Sequence, residues 1–158
     1  MRRLVRMARE GADAVGALFF ALMFAAFLLQ VFSRYLLNSP LGWTLEACLV
    51  TYLWFVFWAC ALMLDEADHV RFDILLRGAP PPVRRILMGL SALATLVLFG
   101  RALPPTADWI AFMAIDRTWT LRIRFDLLFS VYLLFMLAVI WRAGMQLIRA
   151  FRPAREPS

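Results

Sequence analysis

His69 is the only histidine of the chain, and acidic residues lie on both sides of it. On a helix, Asp65, His69 and Asp73 would share one face, which could place two carboxylates and an imidazole around a metal ion. Arg71 and Arg77 argue against a metal site, because they neutralise the cluster and Asp73 and Arg77 form an ordinary ion pair one helical turn apart. We therefore expect a helix with a solvated charged face here, and no bound metal or other cofactor.

Glu46 is the one carboxylate close to the hydrocarbon region. Asn38, Ser39 and Pro40 are suited to begin a helix, so Glu46 would lie about two turns in, too shallow for a proton-carrying group at mid-membrane. Arg34 could pair with Glu46 across the preceding turn. Alternatively, Arg34 extends to the headgroups and Glu46 faces water. No nucleophile and base occur together within an apolar stretch, so no enzymatic activity is expected.

The chain as a whole is too apolar for a water-soluble domain. Of its 158 residues, 63% are hydrophobic and 18% are charged, and the mean hydropathy is +0.74, whereas soluble domains are roughly 45–50% apolar. Lipid must therefore solvate much of its surface. The long uncharged stretches predict a single all-α membrane domain with four transmembrane helices, at about residues 13–36, 43–64, 84–103 and 125–148.

All 17 basic residues are arginine, and their positions predict an orientation. Most of them precede the first span, lie between the second and third spans, or follow the fourth. Because cytoplasmic segments are enriched in arginine, we expect both termini and the middle connection in the cytoplasm. The net charge of +6 then reflects contact with membrane lipids, and no nucleic-acid partner is expected. Apolar residues within 65–76 and 104–126 predict short interfacial helices.

The second span carries a tryptophan at an unusual depth. Trp54 lies about 16 Å along the helix from Trp43, close to mid-bilayer, where lipid offers its indole N–H no partner. A contact with protein is therefore expected. The residues on this side of the helix form what we call the span-two stripe, a candidate partner interface: Trp43, Glu46, Val50, Trp54, Phe57, Trp58 and Ala61.

The first half of the chain also contains an ordered set of motif residues: Arg34-Tyr35, Pro40, Trp43, Glu46, Trp54, His69-Val70-Arg71-Phe72-Asp73 and Pro82-Val83-Arg84. In this order and spacing they resemble the small membrane subunit of tripartite ATP-independent periplasmic (TRAP) transporters. The resemblance covers residues 30 to about 85. The chain departs from the family's sequence pattern at two places, Ala59-Cys60-Ala61 and the start of the last span. These departures leave the subfamily and the substrate unassigned.

The resemblance implies a multi-pass protein of the bacterial inner membrane. Its partners would be a large permease subunit, which holds the sodium and substrate sites, and a periplasmic substrate-binding protein. The small subunit would brace the large one during sodium-coupled uptake of an organic acid. Two other readings remain open, a stand-alone four-helix exporter working as a dimer and a membrane assembly factor.

Overall fold

The computed structural model describes residues 2–39, 41–63 and 80–151. Its long helices are α1 (Arg2–Tyr35), α2 (Gly42–Trp58), α3 (Pro81–Phe112) and α4 (Phe125–Phe151). A π turn, Ala59–Met63, continues α2, and a 3-10 turn, Met113–Ile115, continues α3. The prediction of an all-α chain with four helices long and apolar enough to cross a membrane is confirmed. The interfacial helix predicted at 65–76 lies outside the described residues.

The third helix is longer than the sequence indicated. We expected a segment lying along the membrane from Pro104 onward, but α3 continues through Pro104 and Pro105 to Phe112. Each proline removes a helical hydrogen bond. Packing against α4 opposes this cost, because the ring of Trp109 lies 5.6 Å from that of Phe129 and Ile110 is buried. The segment from Pro104 to Phe112 is therefore part of the helix.

Buried hydroxyl groups fix the turn between α1 and α2. Ser33 and Thr44 are both fully buried. The Ser33 hydroxyl donates to the carbonyl of Gln30 at 3.1 Å, and the Thr44 hydroxyl contacts the side-chain amide of the same Gln30. Asn38 takes the left-handed backbone conformation that asparagine tolerates better than most residues (φ 50°). These contacts close α1 and α2 into a hairpin.

The four helices form a row rather than a closed bundle. α1 packs along α2, α3 packs along α4, and a smaller contact between α2 and α4 joins the two hairpins. The order in space is therefore α1, α2, α4, α3. Few apolar side chains become fully enclosed in such a layer; those buried among the described residues are Ala61, Ala92, Ile110, Val131, Met136 and Ala143.

α1 and α2 approach closely where α1 has a glycine. Gly16 is buried, and a methyl group added there would overlap the sulfur of Met63 in the π turn. One turn earlier, the Ala12 carbonyl accepts a hydrogen bond from the Trp58 indole N–H at 3.0 Å. Small residues at helix interfaces in lipid allow backbones to come together in this way.

We expect Gly16→Val to destabilise the α1–α2 hairpin by about 1–3 kcal/mol, because the added side chain must displace Met63 and Trp58. Thermal unfolding of the purified protein in detergent, followed by circular dichroism, measures the change. Gly11→Val is the matched control, since a Cβ at Gly11 meets no other group within 4 Å. Equal effects of the two substitutions would contradict close packing at Gly16.

Candidate interaction site

The structure places much of the span-two stripe in contacts within the chain. The ring of Phe57 lies 5.2 Å from that of Tyr132 and 5.5 Å from that of Phe135, both on α4. Ala61 is only 2% exposed. Trp58 bonds to α1 as described above. These three residues hold the helix row together, so their chemistry does not require a partner subunit.

Trp54 has the protein contact that its depth demanded, and the contact comes from α1. Its ring lies 5.7 Å from that of Phe19, which also packs on Trp58 at 6.2 Å. Trp54 and Val50 line one wall of an open apolar cavity of about 280 Å³, which we call the groove. Its other walls are Phe19 on α1, Ile123 just before α4, and Leu127 and Leu128 on α4.

Glu46 holds the connection between α3 and α4. One carboxylate oxygen accepts hydrogen bonds from the backbone N–H groups of Thr120 (2.9 Å) and Leu121 (3.0 Å). This is a correction to both sequence alternatives, because Glu46 neither pairs with Arg34 nor faces water freely. The hydrogen bonds that a charged carboxylate accepts from two backbone N–H groups are charge-assisted and therefore strong. The partner residues lie more than 70 positions away, which is why spacing alone did not identify them.

The connection that Glu46 holds, residues 116–124, has an ordered backbone and is called here the α3–α4 loop. The Thr118 N–H donates to the Ile123 carbonyl at 2.9 Å, and the Ile123 N–H donates to the Thr118 hydroxyl at 2.9 Å. Arg122 takes a left-handed backbone conformation between them (φ 53°). Trp119 at the tip is 98% exposed. The loop therefore presents its tip outward on a fixed base.

Arg142 is a contact residue that the sequence analysis missed. Its guanidinium donates to the carbonyls of Cys60 (3.0 Å) and Ala61 (2.6 Å). These carbonyls belong to the π turn at the end of α2, where the helix dipole favours a positive charge. Only its position in the sequence hinted at this contact, because an arginine beside an apolar helical stretch can also donate hydrogen bonds to the backbone carbonyls of a neighbouring helix.

The remaining motif residues divide into two groups. Arg34 and Tyr35 are exposed at the end of α1, and the guanidinium carbon of Arg34 lies 5.9 Å from the centre of the Tyr35 ring. Pro40, His69 and Asp73 lie outside the described residues. Within 2–39, 41–63 and 80–151, no group of three or more His, Cys, Asp or Glu residues could hold a metal ion.

The faces of α2 differ in what they contact. At about 100° per residue, Phe57 and Phe55 point in opposite directions, toward α4 and α1; Phe55 lies 5.5 Å from Phe20. The groove lies on one of the two faces of α2 between these contact sides. The face of α2 opposite the groove, which we call the open face, consists of Leu45, Leu49 and Tyr52, which are 56%, 61% and 55% exposed.

Comparison with known proteins gives one family match. The model of the family described as the DctQ component of tripartite ATP-independent periplasmic transporters matches residues 23–153, which is most of the chain. No match to a curated protein was found.

We expect Glu46→Ala to release the α3–α4 loop, because two backbone N–H groups lose their acceptor. Amide hydrogen exchange at Thr120 and Leu121 should accelerate by about tenfold or more, and Glu46→Gln should give a smaller increase. Asp108→Ala, at an exposed carboxylate on α3, is the control. Unchanged exchange in Glu46→Ala would show that other contacts hold the loop.

We expect Arg142→Gln to loosen the end of α2 by about 2–3 kcal/mol, because two carbonyls lose a charged donor. Cys60 reports on this directly when Cys48 is replaced by serine, since both cysteines are free and Cys60 is half-buried in the π turn. Its alkylation should accelerate in Arg142→Gln and stay unchanged in Arg101→Gln. If both variants react at the rate of the parent, Arg142 does not hold the turn.

Proposed function

This chain belongs to the DctQ component family, the small membrane subunits of tripartite ATP-independent periplasmic transporters, and we propose that it braces a large permease subunit laterally. In this proposal the complete system performs sodium-coupled uptake of an organic acid that a periplasmic binding protein delivers. The membrane is the bacterial inner membrane. The family is one of transporter components rather than enzymes.

The use of polar groups supports a bracing role. Ser33 and Thr44 close the first hairpin, Glu46 holds the α3–α4 loop, and Arg142 bonds the end of α2. Each of these groups binds protein atoms inside the chain. Apart from the second carboxylate oxygen of Glu46, which is buried without a hydrogen-bond partner, these groups use their hydrogen bonds to hold the chain rigid, as expected of a scaffold whose partner carries the solute.

The distribution of arginine supports an orientation with both termini in the cytoplasm. Arg3, Arg6 and Arg9 stand at the start of α1, and Arg84 and Arg85 stand at the start of α3. Since α1 and α3 begin on the same side when four spans alternate, these arginines share one surface. The α3–α4 loop then faces the periplasm, on the side from which a binding protein would approach.

The open face is the surface of α2 that we propose for docking the large subunit. Its three side chains are more than half exposed, whereas several members of the span-two stripe are engaged inside the chain. In lipid, helices associate through close packing rather than through the hydrophobic effect, so an unobstructed side-chain surface is required. Docking through the remaining stripe residues, chiefly Trp43, stays the alternative prediction.

Reconstitution tests the proposed function. In liposomes with an inward sodium gradient, the purified chain alone should accumulate no labelled organic acid, and uptake should appear when the large subunit and the binding protein are added. Empty liposomes and the large subunit alone are the controls. Uptake by this chain alone at the rate of the full system would identify a stand-alone transporter instead.

Co-purification tests the docking face. The double substitution Leu49→Ala with Tyr52→Ala should weaken binding to the large subunit by about tenfold or more, because it removes the central side chains of the open face. Trp54→Ala, on the groove side, should retain the complex although it lowers thermal stability through the loss of Phe19 packing. The opposite result, with only Trp54→Ala losing the partner, would return the interface to the span-two stripe.

A further inference from the structure

The groove is an apolar recess between the two hairpins that the proposed function does not use. Phe19 and Trp54 close its inner end, and Ile123 and Leu127 stand where α4 begins. Thr51 is the polar residue in its lining, and its hydroxyl donates to the Ala47 carbonyl of its own helix at 2.7 Å. The surface offered to an occupant is therefore hydrocarbon-like.

The size of the groove limits what can fill it. Its volume is about 280 Å³, whereas a helix about 10 Å wide displaces roughly 1,200 Å³ over a length of about 15 Å. A helix of a partner subunit therefore cannot fit inside the recess, although it could lie across its open side. A single flexible hydrocarbon chain can, because it needs no more width than one side chain.

The groove lies within one leaflet of a bilayer. Gly42 begins α2 at the end of the helix where the α3–α4 loop lies, and Trp54 is about 18 Å further along. Half of the hydrocarbon core is about 15 Å. On α2 the lining runs from Val50 to Trp54, about 12 to 18 Å from Gly42. The groove therefore lies between one interface and about mid-bilayer, where an acyl chain runs.

Two arginines, Arg122 and Arg124, flank Ile123, the lining residue at the interfacial end of the groove. Arg124 is neutralised by Asp126 at 2.7 Å, but among the described residues Arg122 has no acidic partner. A phosphate is the anion that every phospholipid presents at this depth, and guanidinium groups bind phosphate well.

We propose that the groove is a binding site for one phospholipid, with an acyl chain between Phe19, Trp54 and Leu127 and its phosphate at Arg122. The lipid would fill the recess that the row of helices leaves open. The site belongs to this chain alone and does not depend on the identity of the transporter or its substrate.

Native mass spectrometry tests this site. The full chain is reconstituted in phosphatidylglycerol vesicles, extracted in mild detergent and examined for retained lipid. One phosphatidylglycerol should remain bound to the wild-type chain. Val50→Phe, which fills the groove, should reduce retention by about tenfold or more, and Val97→Phe, the same substitution at an exposed position of α3, should not.

A second comparison tests the contact with the phosphate without changing the groove. Wild-type protein should retain phosphatidylglycerol about tenfold more strongly than diacylglycerol, and Arg122→Gln on the exposed loop should abolish that preference. The proposal fails if the wild-type chain retains no lipid, if Val50→Phe folds and retains as much as wild type, or if the two lipids bind equally. Loss of the lipid when the large subunit is bound would also overturn it, by assigning the groove to protein contacts.

Discussion

The contact between α2 and α4 is the interaction on which the arrangement of the chain depends. Each hairpin packs within itself, and this contact joins them. It has a charged hydrogen-bonding group near each end and aromatic rings between: Glu46 on the α3–α4 loop, Phe57 on Tyr132, and Arg142 on the π turn. The part-buried contacts of Arg142 are harder to exchange for solvent than the exposed contacts of Glu46, because hydrocarbon offers no hydrogen-bonding partner.

Periodicity and length were sufficient to predict the helices. An uncharged stretch of about 20 residues has few solutions other than a spanning helix, and the motif order led to the correct family. The need of Trp54 for a protein contact also followed from its depth, although α1 provides that contact. The local sequence therefore predicted which residues need a partner more reliably than it predicted which residues provide one.

The misjudged features share a dependence on distant residues. Arg142 bonds to carbonyls about 80 positions earlier, and Glu46 bonds to a loop more than 70 positions later. Contacts between residues so far apart in the sequence leave no periodic pattern that a helical projection could reveal. The continuation of α3 past Pro104 likewise rests on Trp109 meeting Phe129 of the next helix. In each case a tertiary contact outweighed a local preference.

The order of the helices in the row also bears on how the chain assembles. Neighbours in space are neighbours in sequence within each hairpin, so α1–α2 and α3–α4 can form soon after each pair enters the membrane. The junction between them needs most of the chain, because Arg142 lies in the second half of α4. Biogenesis would thus pass through two preformed halves. A defect at Arg142 would leave the carbonyls of the π turn without their charged donor while Glu46 and Phe57 still join the halves. Quality control would have to recognise such a species from its unsatisfied backbone within the bilayer rather than from exposed hydrophobic surface.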